Sequence, residues 1–403
     1  MDAVTEVFLA LLSAGLRELP AEQVPELTAA QWRELFSLAQ AHKVLTLILA
    51  PVYPQLSQTD PALAAGLKGQ VRQQIIAQTL RTAEFLELYR ALEEAGVTPL
   101  VVKGIVCRQL YPKPDHRPSS DEDLLILPEQ FGLCHRTLEA QGMAAASGEA
   151  YEVPYRRPDS PLYIELHKQL FPPKFGTDSE FNGFFRDAFR NAVMQEVPDG
   201  RVRTMCPTDH MTYLLFHAFK HFLHSGFGIR QICDIALFAH HHNERIDWER
   251  VLSSCRSIRA DGFAAAVFAI GFRHLGFGPV GPWAGAAVDE LPLLHDVLRS
   301  GIYGSAERSR LHSSTITLEA AASGKQKKSA GSGILAAAFP NAKSLEGRYP
   351  WLKKQPWLLP VAWASRMSNY LLETRHRPDS SVADALKIGT ERLELLKQYH
   401  VLK

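Results

Sequence analysis

The chain alternates between long stretches of helical periodicity and one region of short apolar runs. In residues 1–97 apolar side chains recur three and four positions apart: Val4, Phe8, Leu11 and Leu12, then Leu35, Leu38 and Ala39, with His42 one turn later on the same face. Asp60-Pro61 marks a turn and a helix start. Residues 63–95 contain almost no breaker apart from Gly66 and Gly69; Phe85, Leu88, Tyr89 and Leu92 form one face, and Gly96 is placed to stop the helix. The pattern then changes. The run 98–103 reads as a strand that ends in a Lys103-Gly104 turn, 105–110 as a short helix, and 111–120, with three prolines, as a loop. A second strand is predicted at 121–127 and a helix at 128–141, opened by Pro128 and stopped by Gly142. Residues 149–156 and 161–170 read as a hairpin around Arg157-Pro158-Asp159-Ser160.

Helical periodicity returns from 207 to about 275, most clearly at 209–223 and 230–241, with a further pair over 248–275. Residues 318–333 are poor in apolar bulk and rich in Ala, Gly, Ser and Lys, the composition of a loop or linker. An amphipathic helix over 384–399 closes the chain. Trp351, Trp357 and Trp363, set among prolines, read as packing anchors. No internal repeat is evident. The organisation expected is a helical region at 1–97, an α+β core at 98–205, a helical domain at 206–317, the linker at 318–333 and a helical region at 334–403.

The candidate chemistry lies in the short-run region. In a strand, residues i and i+2 share a face. A strand at 121–127 therefore points Asp121 and Asp123 to one side. Two carboxylates about 6 Å apart repel by roughly 3 kcal/mol at an effective dielectric near 20. A divalent metal held by hard oxygen ligands offsets that repulsion, although paired acids also occur on solvated turns. On the second hairpin strand Tyr163, Glu165 and His167 share one face and Leu162, Ile164 and Leu166 the other.

Strand, glycine turn, short helix and an Asp-x-Asp strand together resemble the nucleotidyltransferase superfamily with the DNA polymerase β-like fold. More narrowly, KG, YP and RPSSDEDLLI resemble a family of uncharacterised bacterial nucleotidyltransferases with an LKG...R...DxDLLV pattern. Ile164-Glu165-Leu166-His167 matches the third-carboxylate strand of that pattern, and a histidine-bearing helix followed by RQICDIALF is similar to the family too. The specific motifs span residues 103–167. Two positions depart from the pattern. Lys103-Gly104 stands where many members carry Gly-Gly or Gly-Ser, and Glu122 stands where an apolar residue is usual.

The resemblance implies an α+β fold: a polymerase β-like core with a small mixed sheet, embedded in largely helical N- and C-terminal regions. It implies transfer of a nucleoside monophosphate from an NTP such as ATP to an acceptor hydroxyl, with release of pyrophosphate. Asp121, Asp123 and Glu165 would be catalytic and would hold two Mg²⁺ ions. Lys103, Gly104 and Arg117 would hold the triphosphate, with amides of the glycine turn facing the phosphates. On a blander reading Lys103-Gly104 is a tight turn and Arg117 a solvated loop arginine. The alternative function is a nucleotide-binding regulatory module without turnover, a reading that rests on Glu122.

Composition narrows the partners. The chain has 403 residues, 46% hydrophobic, with a formal net charge of +1. Nothing in this balance calls for long nucleic acid or a membrane surface; the acceptor is unknown and stays open between a small molecule or sugar, a peptide and a protein side chain. The five cysteines include no C-x-x-C pair and read as reduced, packed thiols. No secretion signal and no apolar run of about 20 residues is seen, and a cytoplasmic protein is expected. His217, His221 and His224 lie on one helical face, but HAFKH lacks the glutamate of a zinc-protease motif, and packing at the cleft is the favoured role.

Overall fold

The computed structural model describes residues 1–20, 27–149, 151–172, 181–224, 226–301, 349–353, 355–363, 365 and 382–402. The expected linker at 318–333 lies outside the described residues. Four helices come first: α1 (Ala3–Leu16), α2 (Ala29–Ala41), α3 (Leu45–Thr59) and the long α4 (Pro61–Glu94). Their starts are set by side-chain caps. Asp2 accepts from the Thr5 amide, Thr28 and Gln31 form a capping box, and Asp60 accepts from the Leu63 amide ahead of Pro61.

Strand β1 (Leu100–Val101), helix α5 (Ile105–Arg108), strand β2 (Glu122–Leu125) and helix α6 (Phe131–Ala140) follow. Then come β3 (Ala144–Ala145), β4 (Glu152–Arg156), β5 (Tyr163–His167), β6 (Val193–Val197) and β7 (Gly200–Thr204). The seven strands form one mixed sheet in the order β3-β4-β5-β2-β1-β7-β6. Strand β2 pairs antiparallel with β1 and parallel with β5, and β1 pairs parallel with β7. The remaining described helices are α7 (Pro207–Leu223), α8 (Ile229–His242), α9 (Trp248–Ser257), α10 (Asp261–Leu275), α11 (Leu291–Ser300) and α12 (Val382–Gln398). The protein is therefore mixed α/β with mostly helical content.

The sheet separates two cores, because consecutive strand residues point to opposite faces. Val101, Leu124, Ile164 and Leu166 go to one, against Phe85, Leu88, Tyr89 and Leu92 of α4 and Leu138 of α6. Leu100 and Leu125 go to the other, which runs on through α1–α3 and α7–α11. Helix α12 joins this second core through Leu395 and Leu396, and Tyr399 just past its end packs there too. Asp123 and Glu165 alternate with Leu124 and Leu166, so they face the helical side. Of the tryptophans, Trp351 and Trp363 pack on a small cluster with Leu352 and Ala362, whereas Trp357 is 74% exposed and anchors nothing there. All five cysteines are free thiols. Among the described residues no helix is long and apolar enough to cross a membrane.

Buried histidines make the helical core acid-sensitive. His42 is fully buried; its Nε2 lies 3.1 Å from the Leu298 carbonyl and its Nδ1 accepts from the Ile229 amide at 3.3 Å. Both contacts suit the neutral ring. Burial holds His42 down to about 4, and it does the same for His210. The unfolded chain then binds more protons than the folded one between about pH 4 and 6.5, so stability falls as pH falls through that window. Each ring should contribute a loss of about 2 kcal/mol between pH 7 and 5. The check is the urea midpoint at the two pH values, compared with His42→Gln. Equal pH sensitivity in the variant would remove His42 from this role.

Candidate active site

Strands β2 and β5 run parallel with Asp123 level with Glu165. His167, two residues beyond Glu165, shares its face. The three side chains bring one ligand atom each within 4.8 Å of one another, and this is the metal-competent group among the described residues. His167 Nε2 lies 3.1 Å from Asp123 Oδ1 and 3.7 Å from a Glu165 oxygen, while Nδ1 lies 3.7 Å from Glu152 on β4. Asp123 is 1% exposed. Burial alone would raise its carboxyl, but Lys103 and His167 outweigh that and hold it well below the carboxylate range. Burial would likewise lower His167, yet Asp123, Glu165 and Glu152 raise it to about 9. Glu165 is pushed up, chiefly by burial, against the pull of His167.

Asp121 sits one residue ahead of β2 and is half-buried. It is not in the close group, although its charge is felt by Glu165 and Tyr163. Lys43, from the turn between α2 and α3, places its ammonium 2.5 Å from the Ser120 hydroxyl and also feels Asp121. The mutual repulsion expected of the acids is thus met in the protein by its own cations. Lys103 Nζ stands 3.0 Å from Asp123 Oδ2.

The glycine turn serves a purpose that its sequence did not reveal. Gly104 has φ +52°, and a Cβ there would run into the Glu122 carboxylate. Glu122, on the opposite face of β2 from Asp123, is fully buried rather than open to water. It accepts from the Ile105 amide at 2.8 Å, from Arg108 Nη1 at 2.5 Å and from the Ser119 hydroxyl at 3.3 Å. The charge between the aspartates is therefore neutralised by Arg108, itself 1% exposed, and it occupies the first amide of α5.

Arg117 is not a solvated loop residue. Its Nε and Nη2 each donate to Asp234 of α8 at 2.7 Å, and the Tyr111 hydroxyl donates to the same carboxylate at 2.7 Å. Burial opposes these charges, but each partner holds the other ionised. The pair ties the loop before β2 to the helical side.

Helix α7 covers the acidic face. His217 Nε2 lies 3.3 Å from Lys103 Nζ and 3.3 Å from His221 Nε2. Burial, then the neighbouring cations, keeps both imidazoles neutral. Lys220, one residue before His221, feels Glu152, Asp123 and Glu165. His224, the residue that follows α7, is exposed. Residue type and spacing place one histidine of the row His217, His221 and His224 at the cleft without saying which. The sequence pattern assigns no role to His167, Lys43 or Lys220, because their significance depends on which elements pack together.

No curated protein sequence matches the chain. Among solved structures, the solution structure of the antibiotic-resistance factor ANT(2'')-Ia is similar at 14% identity and TM-score 0.33, over 46% of this chain and 95% of that one. The model of the family described as uncharacterised nucleotidyltransferase matches residues 28–275, more than half of the chain and all of the site just described. The chain belongs to that nucleotidyltransferase family.

Proposed function

We propose that the protein transfers a nucleoside monophosphate from an NTP to an acceptor hydroxyl and releases pyrophosphate, on a polymerase β-like core. The observation that carries this reading is the Asp123–Glu165–His167 group beside Lys103, on one face of the sheet and within the family match. The donor set fits a hard divalent cation: two carboxylates, one of them buried and held ionised, with a third, Asp121, alongside. Asp123, Glu165 and Asp121 would hold Mg²⁺, two ions on the full reading. The bound metal would neutralise phosphate charge and favour ionisation of the acceptor.

The chain's own residues do the rest. Lys103 offers an ammonium to the phosphates. Arg117, locked on Asp234, fixes the loop that leads into Asp121 and so acts on the phosphates through position more than through contact. His167 stands beside both Asp123 and Glu165 and offsets their negative charge. Helix α7 limits water at the acids through His217 and Lys220. The regulatory alternative was drawn from Glu122. That side chain lies on the other face of β2 from Asp123 and is paired with Arg108, which supports the catalytic reading over it.

The test is metal-dependent pyrophosphate release with each of the four NTPs and fractionated cell extract as acceptor. Glu165→Gln should lower turnover by about a hundredfold or more while NTP affinity stays within a few-fold, since Asp123 and Lys103 remain. Parallel loss of binding and turnover would move Glu165 out of this role. Absence of NTP binding by the wild type would end the reading itself.

A further inference from the structure

We infer that the acceptor carries a phosphate group, which Lys43, Arg81 and Arg230 hold beside Asp121. The inference rests on the nucleotidyltransferase reading and adds to it the chemical class of the second substrate.

The residues that lead into Asp121 are gripped by cations. Arg230 of α8 donates through Nη1 to the Pro118 carbonyl, Arg81 of α4 donates through Nη1 to the Ser119 carbonyl, and Lys43 places its ammonium 2.5 Å from the Ser120 hydroxyl. Arg81 Nε also donates to the Pro161 carbonyl at 3.0 Å, just ahead of β5. These partners are neutral. They satisfy hydrogen bonds and leave the charges unbalanced, and none of the three cations forms an ion pair among the described residues.

The neighbouring carboxylates are engaged elsewhere. Glu122 is paired with Arg108, Glu84 with Arg157 and the Ser160 hydroxyl, and Asp234 with Arg117 and the Tyr111 hydroxyl. Asp115, in the same loop, accepts from the Thr79 hydroxyl. Asp121 remains. Both Lys43 and Arg81 feel it, but it is a single charge and one that a metal would use. Burial first, and then Arg230 and Arg81, pull the Lys43 ammonium below the usual lysine range, against Asp121. Like charges gathered at a half-buried rim repel unless an anion joins them. Unused donors lie around the same loop: Gln78 Nε2, Arg117 Nη1 and Arg230 Nε make no hydrogen bond, in residues no more than 5% exposed. Buried N–H groups without acceptors are costly, and the oxygens of a phosphate are the acceptors that suit arginine and lysine together.

Position separates this anion from the donor triphosphate. The triphosphate is assigned to Lys103, at the Asp123 end of the acids. Lys43 and Arg81 stand at the Asp121 end, beside the exposed Ser120. In-line displacement puts the attacking hydroxyl and the leaving pyrophosphate on opposite sides of the transferred phosphorus. Cations at the far end of the acid row are therefore placed for the acceptor, and a cluster of them favours a dianion such as a phosphate ester.

The experiment uses the full chain with Mg²⁺ and each of the four α,β-methylene nucleoside triphosphates at saturation, so that the donor site is filled, and titrates inorganic phosphate by calorimetry. The loaded wild type should bind phosphate. Lys43→Asn, which suits the left-handed backbone at this position (φ +52°), should bind phosphate at least about tenfold more weakly while affinity for the analogue stays within about threefold. Arg81→Gln should behave the same way and carries the test if the asparagine variant does not fold. Phosphate binding that is absent from the loaded wild type, or unchanged in a folded variant, overturns the inference and leaves the transfer reading standing. Loss of analogue affinity in step with phosphate affinity assigns the cations to the donor and also overturns it. A wild type that binds no analogue overturns the transfer reading and the acceptor assignment with it.

Discussion

Asp123→Asn is expected to lower nucleotide transfer by about a thousandfold or more, roughly 4 kcal/mol of transition-state stabilisation. The substitution keeps the shape of the side chain and removes its charge. Asp123 is the centre of the group: it faces Glu165 across β2 and β5 and contacts both Lys103 and His167. An amide at this position cannot balance either cation and is a poor ligand for a hard metal. The same change should also lower stability, by about 2 kcal/mol, because two partially buried cationic groups lose their counter-ion. Carboxylates that merely repelled one another would give the opposite sign, since an asparagine would relieve them. Pyrophosphate release and urea unfolding of the same preparation separate the cases. Transfer within tenfold of wild type would exclude Asp123 from the chemistry, and a raised midpoint would exclude the pairing.

Glu122→Ala is expected to destabilise the chain by about 3–5 kcal/mol, the cost of leaving a buried charge without its partner. Arg108 would remain in the interior at 1% exposure, keeping the Ser119 and Thr82 hydroxyls as hydrogen-bond partners among the described residues. The Ile105 amide would lose its acceptor as well. Arg108→Met alone should cost a similar amount by stranding Glu122. The double variant Arg108→Met with Glu122→Leu should recover much of the loss, because no charge is then left unpaired. Urea midpoints of the three variants decide it. Additive losses in the double variant would mean that the two side chains contribute independently, and a small loss in the single variants would mean that water reaches the pair.

Much of the fold could be read from local pattern. The strand expected at 121–127 is realised as β2 over Glu122–Leu125, and the hairpin around 157–160 as β4 and β5. The helices at 209–223 and 230–241 appear as α7 and α8. These elements announce themselves because their periodicity and their turn residues lie within a few positions. The β6–β7 hairpin was not anticipated, although Pro198-Asp199-Gly200 carries a turn signal and Asp199 has φ +64°. Its strands are short, and Met194 and Glu196 face outward, so the apolar signal is weak.

The sequence by itself determined which residues could carry chemistry, and that Asp121 and Asp123 precede an apolar strand with Glu165 on another. Alternation along a strand is a covalent property, so the face shared by Glu165 and His167 needed no tertiary information. Only the tertiary structure decided how charge is balanced. Lys103 meets Asp123 because β1 lies beside β2, Arg108 meets Glu122 because the glycine turn folds α5 back under β2, and Arg117 meets Asp234 because α8 packs on the loop. These partners are 20, 14 and 117 residues apart, or lie on opposite sides of a turn whose backbone angle no local rule specifies. Electrostatic pairing acts through space and depends on burial. The roles of Glu122 and Arg117 were therefore set by what packs against them, not by the residues beside them in the chain.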